Sequence, residues 1–434
     1  MQGVRELWAD AWKALRPYTQ VPFPAWLPVR QRLPMPTLTS VDDAVRRELA
    51  KEEVRRAIRP GMKVALAVGS RGVANISLLV RRVVDAVRAL GGDPFIVPAM
   101  GSHGAATAAG QAEYLAGLGV DERTTGAPVR ATMDVIALGR TKDGSQVYLD
   151  RFAAEADAII PICRIKPHTS FHGPVESGAA KMLAIGLGKQ KGAASLHARG
   201  FTGFSERIQE AARIVAQARY VPFALCTVEN ARSQTAHVEA VPGERLAARE
   251  PELLNLARSL MGRLLVDAVD VLIVGRIGKD ISGLGMDPNV IGRYTVPGMS
   301  GGVRASKLAV LDVTEGSHGN SLGIGLADIV TARVLERTDL AALYINVVTS
   351  TVFTGARIPV CVESDRDAVG LALATCNGPH PPKARLAFIE STKALERIYV
   401  SEALWQAHRD EGIFEPLGPP EPMPFTGDGR LLWR

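Results

Sequence analysis

The sequence has little of what would place a protein outside the cell or in a membrane. Its four cysteines, Cys163, Cys226, Cys361 and Cys376, lie far apart in 434 residues. That spacing argues against a disulfide framework or a zinc site and for reduced thiols, two of them in apolar strand-like runs. No charged, apolar and small-residue leader opens the chain, and no run of about 18 apolar residues occurs, so a cytoplasmic protein without a membrane span is expected. Aromatic residues are scarce at 5%, and the lysines and arginines behind the net charge of +6 are spread along the chain. Without basic clusters interleaved with aromatics, no nucleic acid partner is expected, and a small anionic ligand accounts equally well for the basic balance. There is no Walker A loop, no GxGxxG, no HxH or HExxH, and no repeating period. What remains is 47% apolar and 22% charged residues. Such a composition excludes global disorder, and the length exceeds the roughly 250 to 300 residues at which one core stops growing, so two domains are expected.

Read in order, the chain predicts an amphipathic helix over Val4 to Leu15 and then a proline-rich segment, Pro17 to Pro36, which proline makes extended and irregular. This arm, residues 1–40, must lean on its own subunit or on a neighbouring copy, which allows a homo-oligomer. Ser40-Val-Asp-Asp43 reads as a helix cap, with the helix running to Ile58. Two strand–turn–helix units follow: Val64 to Val68 before Gly69-Ser70-Arg71-Gly72, and Pro94 to Pro98 before Gly101-Ser-His103-Gly104. A glycine-containing turn between strand and helix offers backbone N–H groups to a phosphate or carboxylate. Further strands are predicted at Asp134 to Leu138, Ser145 to Tyr148, Asp157 to Cys163 and Phe223 to Val228, with helices at Glu206 to Ala218 and Arg249 to Leu264. A second βα series, with strands at Val269 to Val274, Leu308 to Val313, Leu343 to Val348 and Leu386 to Ile389, precedes a proline-rich tail. Alternation of this kind predicts an α/β protein with a mostly parallel, Rossmann-like sheet in each domain, residues 41–265 and 266–434.

One stretch organises the rest. From Arg164 the chain reads Ile-Lys-Pro-His168-Thr-Ser-Phe-His172, then Ser177-Gly-Ala-Ala-Lys181 and Gly186-Leu-Gly188, and His197 closes it. It follows a buried strand, so its polar residues emerge at the carboxyl end, where open α/β sheets bind ligands. His103 and His168, each at a predicted strand end, could work on one substrate from opposite sides as general acid and base. Lys181, in an apolar setting, either snorkels to the surface or is held near neutrality as a nucleophile or covalent anchor. His197 is a candidate metal ligand.

Taken together, Ser-Arg71, Gly-Ser-His103, Lys-Pro-His168, Ser-Gly-Ala-Ala-Lys181 and His197 resemble the catalytic half of the nickel-dependent lactate racemase family. The resemblance implies two α/β domains with the active site in the cleft between them, the first domain binding the cofactor and carrying the catalysis. It implies a covalently attached nickel pincer nucleotide, pyridinium-3,5-bisthiocarboxylic acid mononucleotide, joined to Lys181, with Ser70 and Gly188 also at the cofactor and His197 on the nickel. His103 and His168 would be the acid–base pair, and Arg71 and Lys279 would hold the substrate. The implied activity is a racemase or epimerase of a 2-hydroxy acid, by proton-coupled hydride transfer through a 2-oxo acid intermediate, with cofactor-biosynthesis proteins as partners. Where the family carries Asp-x-Thr-Arg-Pro at the first turn, this chain has Val68-Gly-Ser-Arg71-Gly72. The alternatives are a nucleotide-dependent 2-hydroxy acid oxidoreductase and a non-catalytic cofactor-binding protein.

Overall fold

The computed structural model describes residues 2–69, 72–378 and 380–433. The chain divides into two compact units, one continuous over 35–261 and one made of 1–34 together with 262–434. The boundaries expected at 40/41 and 265/266 therefore stand at 34/35 and 261/262, and the N-terminal arm joins the C-terminal unit. Its strand β1 (Trp26–Gln31) lies within the segment expected to be irregular, and the preceding helix, Gln2–Thr19, outlasts its predicted end and takes Pro17 into its last turn.

The unit 35–261 holds β2 (Lys63–Val68), β3 (Asp93–Pro98), β4 (Val135–Arg140), β5 (Gln146–Asp150), β6 (Ala158–Arg164), β7 (Phe223–Glu229) and β8 (Thr235–Pro242). Five of these form one sheet in the order β3-β2-β6-β7-β8, all parallel except β8, while β4 and β5 form a separate antiparallel pair. Side chains on a strand alternate between faces, and β2 shows the consequence. Val64, Leu66 and Val68 join Leu79, Val80, Val83 and Val84 of the helix Ile76–Ala89, while Ala65 and Ala67 join Leu183, Ile185, Leu196 and Phe204 on the opposite face. A sheet buried on both faces needs apolar strands without polar alternation, which is why these strands were legible. The single helix expected from Ser40 to Ile58 is two, Val41–Leu49 and Glu52–Arg56, with Ser40 accepting from the Asp43 N–H as its spacing predicts.

In the second unit follow β9 (Ala268–Val274), β10 (Arg304–Val310), β11 (Ile329–Thr331), β12 (Val360–Val362), β13 (Leu386–Ile389), β14 (Arg397–Ser401) and β15 (Phe414–Pro416). With β1 they make an eight-stranded sheet ordered β12-β11-β10-β9-β13-β14-β1-β15, parallel from β12 to β13 and antiparallel beyond. The strand expected at Leu343 to Val348 is instead the helix Leu340–Ser350. The β-branched run misleads there. The Asp339 carboxylate takes the N–H groups of Ala341 and Ala342, and Leu343 and Val347, four apart, bury one face. The α/β architecture with mostly parallel sheets is otherwise as the alternation predicts.

Candidate functional site

Pairing in the unit 35–261 aligns Val68 with Pro98 and with Ile162, and Arg164 with Thr227. The carboxyl ends of β2, β3, β6 and β7 therefore open together on one rim. Ser70 and Arg71, which follow β2 in the sequence, lie outside the described residues. Farther along the chain the Ala74 N–H donates to Glu229 Oε1 at 2.8 Å, and Arg164 pairs with Glu229 and donates to the Gly72 carbonyl at 3.1 Å. At Ala74, then, a carboxylate of the protein occupies an N–H that the sequence reading left open to an anion.

Beyond β6 the chain closes a loop by an isolated bridge between Lys166 and Ser177. Glu176, buried inside it, accepts from the His168 and Gly173 N–H groups and pairs with Arg258 on the helix Leu246–Leu260. His168 Nδ1 accepts the Ser170 N–H at 3.1 Å, so a neutral ring carries its proton on Nε2. Its ring lies 4.3 Å from that of Phe171. His172, in the same loop, is exposed.

Gly178 opens a helical ladder. The turn Ala179–Lys181 runs through a π-helical stretch, Met182–Gly186, into the helix Lys189–His197. Inserted π turns recur at functional sites because they re-aim the side chains around them. Lys181 is half-buried, with Nζ 6.0 Å from the Phe171 ring centroid. His197 ends the ladder. Its Nδ1 lies 2.7 Å from the Ala193 carbonyl, and its ring is 4.8 Å from Phe204, which is itself 4.9 Å from Phe171. Burial pushes the His197 pKa below its usual value, more than the bond to Ala193 raises it, and the cations Lys181 and Arg207 push the same way as burial. A neutral ring that donates Nδ1–H to a carbonyl keeps its lone pair on Nε2.

The structure thus gathers His168, Lys181 and His197 around the Phe171–Phe204 pair. The loop of His103 docks on the same ladder: the Gly101 N–H donates to the Gly186 carbonyl at 3.1 Å, and a Cβ at Gly101 would meet Ile185 and Ala193 at 3.6 to 3.8 Å. His103 itself is exposed. Gly188 is buried, and a Cβ there would come within 2.8 Å of the Ala184 carbonyl, so its visible part is to let the two helical stretches meet. Lys279 belongs to the other unit, in the turn after β9, where its N–H donates to Ser317 Oγ at 3.0 Å and its Nζ to the Gly283 carbonyl at 2.8 Å.

Arg207 was missed by the sequence reading. Nearly buried, it donates to the carbonyls of Leu196, Gly200 and Thr202 and pairs with Asp143, tying down the helix end that carries His197. Its partner lies 64 positions away, so no local pattern announces it. Among the described residues no three His, Cys, Asp or Glu side chains group as a metal cage.

The family model for the lactate racemase N-terminal domain matches residues 32–208. No curated protein matches the sequence. Among solved structures, the lactate racemase apoprotein from Thermoanaerobacterium thermosaccharolyticum is 13% identical, covering 80% of this chain and 81% of its own, with a TM-score of 0.45. At that distance the likeness carries no inference about the site. The matched segment spans β2, β3 and β6, the His103 and His168 loops and the whole ladder through His197, and over these residues the chain is similar to the lactate racemase N-terminal domain.

Proposed function

We propose that this protein is a racemase or epimerase of a small 2-hydroxy acid that works with a nickel pincer nucleotide. The observation that supports this most is the gathering of His168, Lys181 and His197 about Phe171 and Phe204, with the His103 loop docked on the same ladder. The donor chemistry fits the group. A metal that brings most of its ligands in a cofactor needs one neutral imidazole from the protein, and His197 offers Nε2 while Ala193 fixes the other nitrogen. A half-buried amine beside an aromatic ring, as at Lys181, suits covalent attachment. Lys181 would hold the nucleotide and His197 the nickel. When bound, the group supplies a cationic ring able to take a hydride from C2 of the substrate and return it.

The chain's own residues would handle the proton. The C2 hydrogen of a 2-hydroxy acid leaves readily only when the hydroxyl proton leaves too, and the flat 2-oxo acid so formed can be reduced again from either face. Because the hydroxyls of the two enantiomers point differently, two proton-handling groups are needed, and His103 and His168 are assigned to them. His168, held as an Nε2–H donor by Ser170, orients the substrate oxygen, and it accepts a proton at Nε2 only once the ring proton has moved to Nδ1 and displaced the Ser170 N–H. Arg71 and Lys279 are the cations the sequence offers for the carboxylate.

The test uses protein made together with the cofactor-building proteins and the pure enantiomers of lactate and malate. Replacing either His103 or His168 by Ala is expected to cost on the order of a hundredfold in turnover. Single-turnover reduction of the cofactor should survive better from one enantiomer in His103→Ala and from the other in His168→Ala. Near wild-type rates in both variants would remove these histidines from the chemistry and favour a protein that only carries the cofactor.

A further inference from the structure

Behind the His103 loop lies a polar network that the chemistry above leaves unused. Lys189, Asp150 and Gln111 are all fully buried, at 0% exposure. Lys189 Nζ lies 3.1 Å from Asp150 Oδ2 and donates to the Pro98 carbonyl at 2.5 Å and to Gln111 Oε1 at 2.9 Å. Gln111 Nε2 in turn donates to the carbonyls of Gly101 at 2.9 Å and His103 at 3.2 Å. A core has no need of this: replacing a buried ion pair with apolar residues of similar volume is often neutral or stabilising. Burial pushes Lys189 below and Asp150 above their usual pKa values, which is the mark of that cost.

The loop reached by the network is unusual in the same way. Gly101, Gly104, Ala105 and Ala106 have φ of +60, +65, +54 and +53°, and Lys189 itself sits at +55°. For residues with a Cβ this left-handed region costs of order 1 kcal/mol each and persists only where the surroundings over-determine it. Three carbonyls along this stretch, at Pro98, Gly101 and His103, receive a bond from the buried network. The network's bonds and the left-handed positions thus lie on both sides of His103, whose own backbone is extended at φ −66°.

We propose that Gln111, braced by the Lys189–Asp150 pair, is a positioning residue that fixes the backbone at His103 and so the direction from which its imidazole meets the substrate. This rests on the reading of His103 as an acid–base group. The network is a means of preorganising that group, since an acid or base contributes only when held in hydrogen-bond reach of its proton.

The informative variant is Gln111→Glu, which keeps an acceptor for Lys189 and loses both donors to the loop. In the cofactor-free protein, amide exchange at Gly101 and His103 is expected to quicken roughly tenfold, the scale of two lost hydrogen bonds, while exchange in the helix 204–218 is unchanged. In cofactor-loaded protein, kcat with lactate should fall roughly tenfold with KM little altered, the mark of a lost transition-state alignment. Unchanged exchange at both amides overturns the proposal whatever the activity does. Should Gln111→Glu fail to fold, Lys189→Met combined with Asp150→Leu carries the same test: faster exchange at the two amides supports the brace and unchanged exchange overturns it. His103→Ala separates the two ideas, because full turnover in that protein defeats the acid–base reading and leaves the exchange result standing.

Discussion

Glu250 shows how much can hang on one carboxyl group. It is 1% exposed on the helix Leu246–Leu260, its Oε2 accepts the Ala180 N–H at 3.0 Å, and its Oε1 has no hydrogen-bond partner among the described residues. Burial raises its pKa from 4.5 to about 7, against the smaller opposite effect of the Ala180 bond. Folding therefore takes up a proton between those values. The stability tied to this group is complete below pH 4.5 and is lost as the pH rises through 7, by roughly 3 kcal/mol for a shift of that size. Glu250→Gln cannot titrate and still accepts from Ala180, so its denaturation curves should lack this fall. Parallel pH dependences of wild type and variant between pH 4.5 and 7 would show that Glu250 is ionised in the fold. Nothing in Arg249-Glu-Pro251 marks such a burial, since charged residues in a helix face water by default and the group that buries this one, the Gly178–Ala180 turn, is some seventy positions away.

At the scale of elements, Lys181 and His197 stand on two helical stretches that meet at the Leu187–Gly188 turn, with Lys189 left-handed at the joint, and the two should fail differently. Protein made with the cofactor pathway should show by intact mass an adduct that Lys181→Ala abolishes, whereas His197→Ala keeps the adduct and loses nickel. Full nickel occupancy in His197→Ala would sink the ligand assignment. Much of this path was legible. The apolar run from Asp157 to Cys163 announced β6 to within a residue, and the histidines and Lys181 stood out because a core has no use for them. The geometry between them was not. The π-helical turn leaves no composition signal, the aromatic pair that joins the site residues comes from Phe171 and Phe204, and the clamp on the ladder's end comes from Arg207. The same limit explains the helix at Leu340–Ser350: Val, Ile and Thr favour strands by fitting a pleated surface, and a capping aspartate one residue upstream decides otherwise.

For the whole molecule, the decisive feature is that the second unit is assembled from both ends of the sequence. β1 lies between β14 and β15, with Trp26, Leu27 and Val29 at 2% exposure or less and Trp26 stacked 4.3 Å from Tyr399. At about 1.5 to 3 kcal/mol for each such side chain, these three contribute an amount comparable with the entire stability of a typical domain. Deleting residues 1–34 should therefore make 262–434 sensitive to limited proteolysis while 35–261 resists as before. Equal resistance of 262–434 in the full and shortened chains would mean that β1 is dispensable.

The same arrangement imposes an order on biosynthesis. Gln31 and the Leu395 carbonyl that it meets in the buried interior are 364 positions apart. At ribosomal rates of 5 to 20 residues per second, β1 waits roughly 20 to 70 seconds for its neighbours to be made. Throughout that interval the tryptophan and leucine of a strand destined for the inside of a sheet are in water, with an open edge able to pair with any other nascent chain. The prolines at 17, 22, 24, 28, 34 and 36 gain a meaning from this that the finished fold does not give them. A segment so interrupted is a poor template for aggregation, so the proline-rich arm can remain unpaired until the last strands of its own sheet leave the ribosome.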